Sequence, residues 1–122
     1  MVEWKLKNDR PVYVQLVEQL ELRVIAGIYK AGEKLPGVRE LANEARVNPN
    51  TMQRAFAELE ASGLVETQRT AGRNITSDTE AISRLKKQVV GRYASEFLEK
   101  MAEYGYAKED VINILKETDT DE

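Results

Sequence analysis

Residues 38–62 read VRELANEARVNPNTMQRAFAELEAS, and their apolar positions form two helical stripes with a two-residue gap. Val38, Leu41, Ala42 and Ala45 share one face of a helix over about 38–45, and Met52, Ala55, Phe56 and Leu59 share one face of a second over about 49–62. Only Arg46 and Val47 lie between the first helix and Asn48. Asn48-Pro49 opens the second helix: asparagine is a capping residue, and proline at the first helical position gives up an N–H that would have no intrahelical partner. Gly63 supplies a left-handed C-terminal turn. Two crossing helices with small alanines at the approach and a short turn make a helix-turn-helix.

Downstream, residues 64–69 and 73–76 flank a glycine-containing tip, which predicts a β-hairpin and makes the unit a winged one, with the wing over 65–76. Upstream, Pro11 opens a helical pattern in which Val12, Leu16, Leu20 and Val24 recur every four residues, with Tyr13, Val17 and Ile28 beside them. Residues 33–37 read as a short connection. Val2, Trp4 and Leu6 alternate with charged residues, the pattern of a short strand or extended arm. Ser77 with Glu80 reads as a capping box for a long helix carrying Ile82, Leu85, Val89, Tyr93, Phe97, Met101 and Tyr104. Gly105 ends it, Val111, Ile112 and Leu115 mark a last short helix, and residues 118–122 read as a charged frayed tail. The expected fold is mainly α with a small β-hairpin: a winged helix-turn-helix domain over 1–76, then a two-helix extension over 77–122.

The length of 122 residues suits one domain with such an extension, and 42% hydrophobic with 32% charged residues suits a globular chain. There is no His and no Cys. That excludes imidazole- and thiol-based catalysis, disulfides and structural zinc sites. With no phosphate-binding glycine loop and no paired carboxylates set in a cleft, the sequence predicts a non-enzyme without cofactor or metal. The longest apolar run near the N-terminus, residues 24–29, is far short of the ~20 residues that span a bilayer, so no membrane partner is expected and the cytoplasm is the expected compartment. The net charge of −3 hides an asymmetry. Residues 1–76 hold 11 Lys and Arg against 10 Asp and Glu; residues 77–122 hold 7 against 11.

With Met52, Phe56 and Leu59 turned inward, the outward positions at the start of the second helix are Asn50, Thr51, Gln53 and Arg54. All donate hydrogen bonds and none is acidic. A recognition helix inserts its N-terminal end into the major groove of duplex DNA, where Asn and Gln pair with adenine and Arg with guanine. The helix N-terminus adds partial positive charge and N–H groups for a phosphate. Arg39, in the first turn of the preceding helix, is placed for a phosphate or a groove edge. Arg69 and Arg73 flank the hairpin tip and suit the minor groove or the backbone. Arg46, in the turn, carries strain if its φ is positive, which a backbone contact to DNA would offset. The competing reading is a winged helix that presents the same face to another protein.

Four blocks, PVYVQL at 11–16, GEKLPGVRELA at 32–42, VNPNTMQRA at 47–55 and ELEASGLV at 58–65, resemble the GntR family of bacterial transcription regulators over about residues 10–76. The Asn-Pro-Asn-Thr run and the short tail resemble its YtrA subfamily. The resemblance implies a dimeric, repressor-type regulator of transcription whose C-terminal helices pair two chains. It places DNA contacts on Arg39, Asn48, Asn50, Thr51, Gln53, Arg54 and Gly72. Gly37 stands where the family usually has a serine cap, Arg46 where many relatives have glycine, Pro49 where other branches have a contacting arginine, and Thr70 and Asn74 replace common wing residues.

Residues 77–122 are too few for an independent core, yet carry a broad apolar stripe. Leu85, Val89, Tyr93, Phe97, Met101, Tyr104, Ile112 and Leu115 must bury against the winged domain or a second chain. A homodimer is expected, because two modules on one palindrome gain affinity and site length. Tyr93, Phe97, Tyr104 and Tyr106 are the residues that would line a cleft for a small-molecule effector; the alternative is that they are plain core.

Overall fold

The computed structural model describes residues 3–69 and 72–118. In chain order it has α1 (Val12–Ile25), α2 (Val38–Ala45), α3 (Pro49–Ala61), β1 (Val65–Gln68), β2 (Gly72–Ile75), α4 (Thr79–Glu103) and α5 (Lys108–Glu117). The chain divides into two compact units, Met1–Leu85 and Lys86–Glu122.

In the first unit, α1 and α2 both pack on α3. Most of the stripe positions read from sequence are buried: Leu16, Leu20 and Val24 from α1, Leu41, Ala42 and Ala45 from α2, and Met52, Ala55, Phe56 and Leu59 from α3. Val38 is half-buried against them, whereas Val12 and Ile28, which the same spacing groups with the core, are exposed. Each large aliphatic or aromatic side chain so buried contributes about 1.5–3 kcal/mol. Val65 and Ile75, opposite one another in the antiparallel hairpin, close the core from the wing side. Ile82 and Leu85, in the first turns of α4, pack against this same core.

Asn48 caps α3, its Oδ1 accepting from Asn50 N at 2.7 Å. At the other end Gly63 has φ +87°, and the Gly63 and Leu64 N–H groups donate back to Glu60 O and Leu59 O. This paired closure satisfies the last carbonyls. The same pattern ends α2, where the Arg46 and Val47 N–H groups donate to Asn43 O and Ala42 O. Here the residue in the left-handed position is Arg46, at φ 60° and ψ 47°.

Two local expectations change and a third, left open, is decided. Residues 33–35 do more than connect: Leu35 N donates to Arg73 O and Ile75 N to Glu33 O, so this segment pairs along the outer edge of β2, with a bridge at Lys34 and Asn74. The cap of α4 is Asp78 rather than Ser77, since Asp78 Oδ1 accepts from the N–H groups of Glu80 and Ala81. From residue 3 the described N-terminal segment is the extended arm of the two alternatives, without strand pairing among the described residues. Two glutamines one turn apart on α1 stand in for the missing neighbour. Gln15 exchanges hydrogen bonds with the main chain of Lys7 and Gln19 with that of Lys5. Trp4 and Leu6 of the arm pack on the core; Val2, which the sequence pattern groups with them, lies outside the described residues.

In the second unit, α4 runs on to Glu103 and α5 follows, its start capped by Asp110, whose carboxylate accepts from Ala107 N at 2.8 Å. None of the α4 side chains is buried, and of α5 only Val111 is. Tyr93 is 53% exposed, Phe97 45% and Tyr104 66%. Ile112 and Leu115 are also exposed. The C-terminal tail beyond Thr118 lies outside the described residues. Among those described, no helix is long and apolar enough to cross a membrane.

Candidate nucleic-acid interface

The inward face of α3 fixes the outward one. With Met52, Ala55, Phe56 and Leu59 buried, Asn50, Gln53 and Arg54 are exposed and Thr51 is half-buried. No acidic residue stands in the first turn. Asn48 is exposed, but its side-chain oxygen is committed to the cap. The Thr51 N–H also bonds within the protein, to Asn48 O at 3.0 Å. The expected offer of those N–H groups to a phosphate is therefore already taken up by the cap, and the polar side chains remain as donors.

The arginines that precede α4 sort by their partners. Arg10 pairs with Glu18, Arg23 with Glu44 and Arg73 with Glu60. Among the described residues Arg39, Arg46, Arg54 and Arg69 have no carboxylate partner. All four are exposed. They stand on the first turn of α2, in the α2–α3 turn, on α3 and at the end of β1. Unneutralised guanidinium groups grouped on one supersecondary element attract a polyanion.

Arg73 stands apart from them. Its Nε donates to Glu60 Oε2 at 2.9 Å and its guanidinium lies 5.1 Å from the Phe56 ring centre. Thr67 Oγ1 donates to the same carboxylate oxygen. The hydrogen bond from Thr67, and after it the pairing with Arg73, hold the Glu60 carboxyl below its ordinary value against the opposing effect of burial. Glu60 thus fastens both strands of the wing to α3. Gly72 opens β2 at φ +86°, a conformation that disfavours a side chain. Asn74 Nδ2 donates to Gly32 O at 3.1 Å, tying the wing to the segment before α2. Thr70 lies outside the described residues.

The buried Arg23 and the half-buried Tyr13 hold this surface from behind, and neither role carries a periodic signal in the sequence. Arg23, only 4% exposed, stacks on Trp4 at 3.9 Å and meets Glu44 Oε1 at 3.2 Å; Trp4 Nε1 donates to that oxygen at 2.8 Å. The Trp4 hydrogen bond is the main reason that the Glu44 carboxyl lies below its ordinary value. The arm is in this way bolted to the end of α2. Tyr13, grouped in sequence with the apolar stripe of α1, has the Arg54 guanidinium 3.7 Å above its ring centre.

Of the residues grouped by sequence as a pairing surface, Leu85 packs on the core of the first unit. The others lie on α4 and α5 of the second. At 3.6 residues per turn, Val90, Tyr93, Phe97 and Met101 of α4, with Tyr104 just past its end, fall within an arc of about 80°. Val90, 57% exposed, belongs to that stripe and is absent from the sequence-derived set, which has Val89.

The description "Bacterial regulatory proteins, gntR family" matches residues 12–75. The chain is similar to the HTH-type transcriptional regulator YhcF of Bacillus subtilis, at 35% identity over 92% of this chain and 93% of that one. It is similar to the HTH-type transcriptional repressor YtrA of the same organism, at 34% identity over 85% and 88%. A solved GntR family transcriptional regulator from Listeria monocytogenes superposes with a TM-score of 0.87 at 35% identity, covering 93% of this chain and all of that one.

Proposed function

The chain belongs to the gntR family of bacterial regulatory proteins, a family of regulators rather than enzymes, and from that premise we propose that it is a homodimeric repressor acting on a palindromic DNA operator. Residues 1–76 bind the duplex and residues 77–122 pair two chains. Helix α3 enters the major groove, where Asn50, Thr51, Gln53 and Arg54 meet base edges. Arg39, Arg46 and the free donors of Asn48 hold phosphates on either side, and the wing with Arg69, Gly72 and Arg73 follows the backbone or the adjacent minor groove.

The observation that carries this reading is the set of four exposed arginines without carboxylate partners on the helix-turn-helix and wing, beside an acid-free start to α3. Repression is supported by the likeness to YtrA, itself described as a repressor. Pairing is supported by the exposed stripe of α4, since contiguous apolar patches of that extent mark interaction surfaces. Val89, Tyr93, Phe97, Met101, Tyr104, Ile112 and Leu115 supply the contact, and a two-fold dimer reads an inverted repeat. Such a regulator works in the cytoplasm, where the chromosome is.

The test is selection of bound fragments from randomised duplex DNA, followed by sequencing. An inverted repeat is expected, with log affinity falling by about 0.9 per neutralised phosphate as log salt rises. No enrichment at low ionic strength would overturn the reading. Sedimentation equilibrium at micromolar concentration should give a dimer, and Phe97→Glu a monomer.

A further inference from the structure

Arg54 differs from every other arginine on the proposed DNA surface in that its described partner is an aromatic ring alone, which uses none of its hydrogens. Its guanidinium lies over the Tyr13 ring, 3.7 Å to the centre. Among the described residues no carboxylate pairs with it. A guanidinium is planar and its N–H donors lie in that plane. Stacking through the face therefore leaves the whole donor edge open while taking away the rotational freedom of a long side chain. Arg73 shows the opposite arrangement on the same unit: its Nε edge is spent on Glu60. Arg39, Arg46 and Arg69 have neither kind of anchor among the described contacts, which suits delocalised phosphate contact and not bidentate reading.

The stack also joins elements distant in the chain. Tyr13 is the second residue of α1 and half-buried, so its ring is fixed by the packing of α1 on α3. Its position relative to the start of α3 is set by the core and not by the flexible stem of Arg54. We infer that Tyr13 is a positioning residue for sequence readout: it holds the Arg54 guanidinium edge-outward, so that a guanine O6/N7 pair is met by a preset donor fork, and it sets selectivity at that base pair without contacting DNA. The inference rests on the DNA-binding reading above.

Selection from randomised duplex DNA, run in parallel on wild type, Arg54→Ala, Tyr13→Leu, Tyr13→Phe and the Tyr13→Leu/Arg54→Ala pair, tests it. The base pair whose preference collapses in Arg54→Ala identifies the position read by Arg54. An exposed cation–π contact of ordinary strength corresponds to a loss of about 2–5-fold in discrimination at that pair for Tyr13→Leu. Tyr13→Phe, which keeps the ring, should match wild type. The salt slope should be unchanged in both, and the double variant should be no worse than Arg54→Ala. In the free protein, the Arg54 Nε–H resonance should be shifted upfield by the ring, in wild type and Tyr13→Phe but not in Tyr13→Leu. Each of these results overturns the assignment: Tyr13→Phe as damaging as Tyr13→Leu, which would put the hydroxyl on a phosphate; an equal loss from Tyr13→Leu when Arg54 is already alanine; or sharper discrimination in Tyr13→Leu, which would make the stack a parked state. Wild type that enriches no sequence overturns the reading beneath. Wild type that enriches a site whose base preferences ignore Tyr13→Leu overturns this assignment alone.

Discussion

Replacing Arg46 by glycine should stabilise the protein and weaken its hold on DNA. The helices α1, α3 and α4 all end in the same paired closure, and in each the left-handed residue is glycine: Gly27, Gly63 and Gly105. Helix α2 ends in it with Arg46, whose Cβ crowds the backbone at φ 60° and costs about 1–2 kcal/mol. Glycine removes that strain but gives back about 0.4–1 kcal/mol by loosening the unfolded chain. The net expectation is a gain of about 0.5–1 kcal/mol, and a rise of about 2–5 °C in Tm for a chain of this size. Arg46 is exposed with no carboxylate partner among the described residues, so no contact within the protein offsets the change. Arg46→Ala separates the two effects: it removes the guanidinium and keeps the strained Cβ, so its stability should stay within about 0.5 kcal/mol of wild type. Thermal and urea unfolding at one fixed protein concentration measure both, fixed because pairing of chains makes Tm concentration-dependent. On DNA, both variants should lose one phosphate contact, lowering the salt slope by about 0.9. If Arg46→Gly is less stable than wild type, or if alanine and glycine shift Tm equally, the strain argument is wrong. If both variants keep the full salt slope, strain at this turn is not offset by DNA.

Acidification should loosen the wing through Glu60. Its folded-state carboxyl lies below the ordinary value, so the stability it adds is complete above about pH 4.3 and is lost as pH falls through the folded value. The urea midpoint of Glu60→Gln, followed downward from pH 7, should therefore fall less on the acid side than that of wild type. Trp4→Phe keeps a ring beneath Arg23 but removes the donor to Glu44; it should cost about 1–2 kcal/mol, and carboxyl NMR titration should show Glu44 moving back toward its ordinary value. Gly37 precedes α2 in an extended conformation, has no side-chain cap, and has open space where a Cβ would go; Gly37→Ser should add about 0.5–1 kcal/mol in urea unfolding.

Periodicity made the helices legible because the core is built from stripes. The inward positions of α2 and α3 in the structure are those that a spacing of three and four picks out, and Asn48-Pro49 marks the start of α3 to the residue. What stayed hidden is what depends on partners far along the chain. Gln15 and Arg23 are buried, yet both read as polar interruptions of an apolar stripe. Their partners are the arm's main chain and Trp4 with Glu44, none of which has a spacing relation to α1. Tyr13 fails the same way: it fits an apolar stripe, and nothing local reveals that Arg54 lies on its outer face. Closeness to the hairpin tip makes Arg73 and Arg69 look alike in sequence, whereas strand register gives Arg73 the Glu60 carboxylate.

The arm holds the chain's single tryptophan, wedged between Arg23 and Glu44 in the first unit, while Tyr93, Tyr104 and Tyr106 all belong to the second. The molecule thus contains its own optical reporter. Indole emission follows detachment of the arm and melting of the winged unit, and circular dichroism at 222 nm follows all five helices. Denaturation curves that coincide at both wavelengths would mean a single cooperative transition; curves that separate would give the order in which the two units let go, without any label being attached.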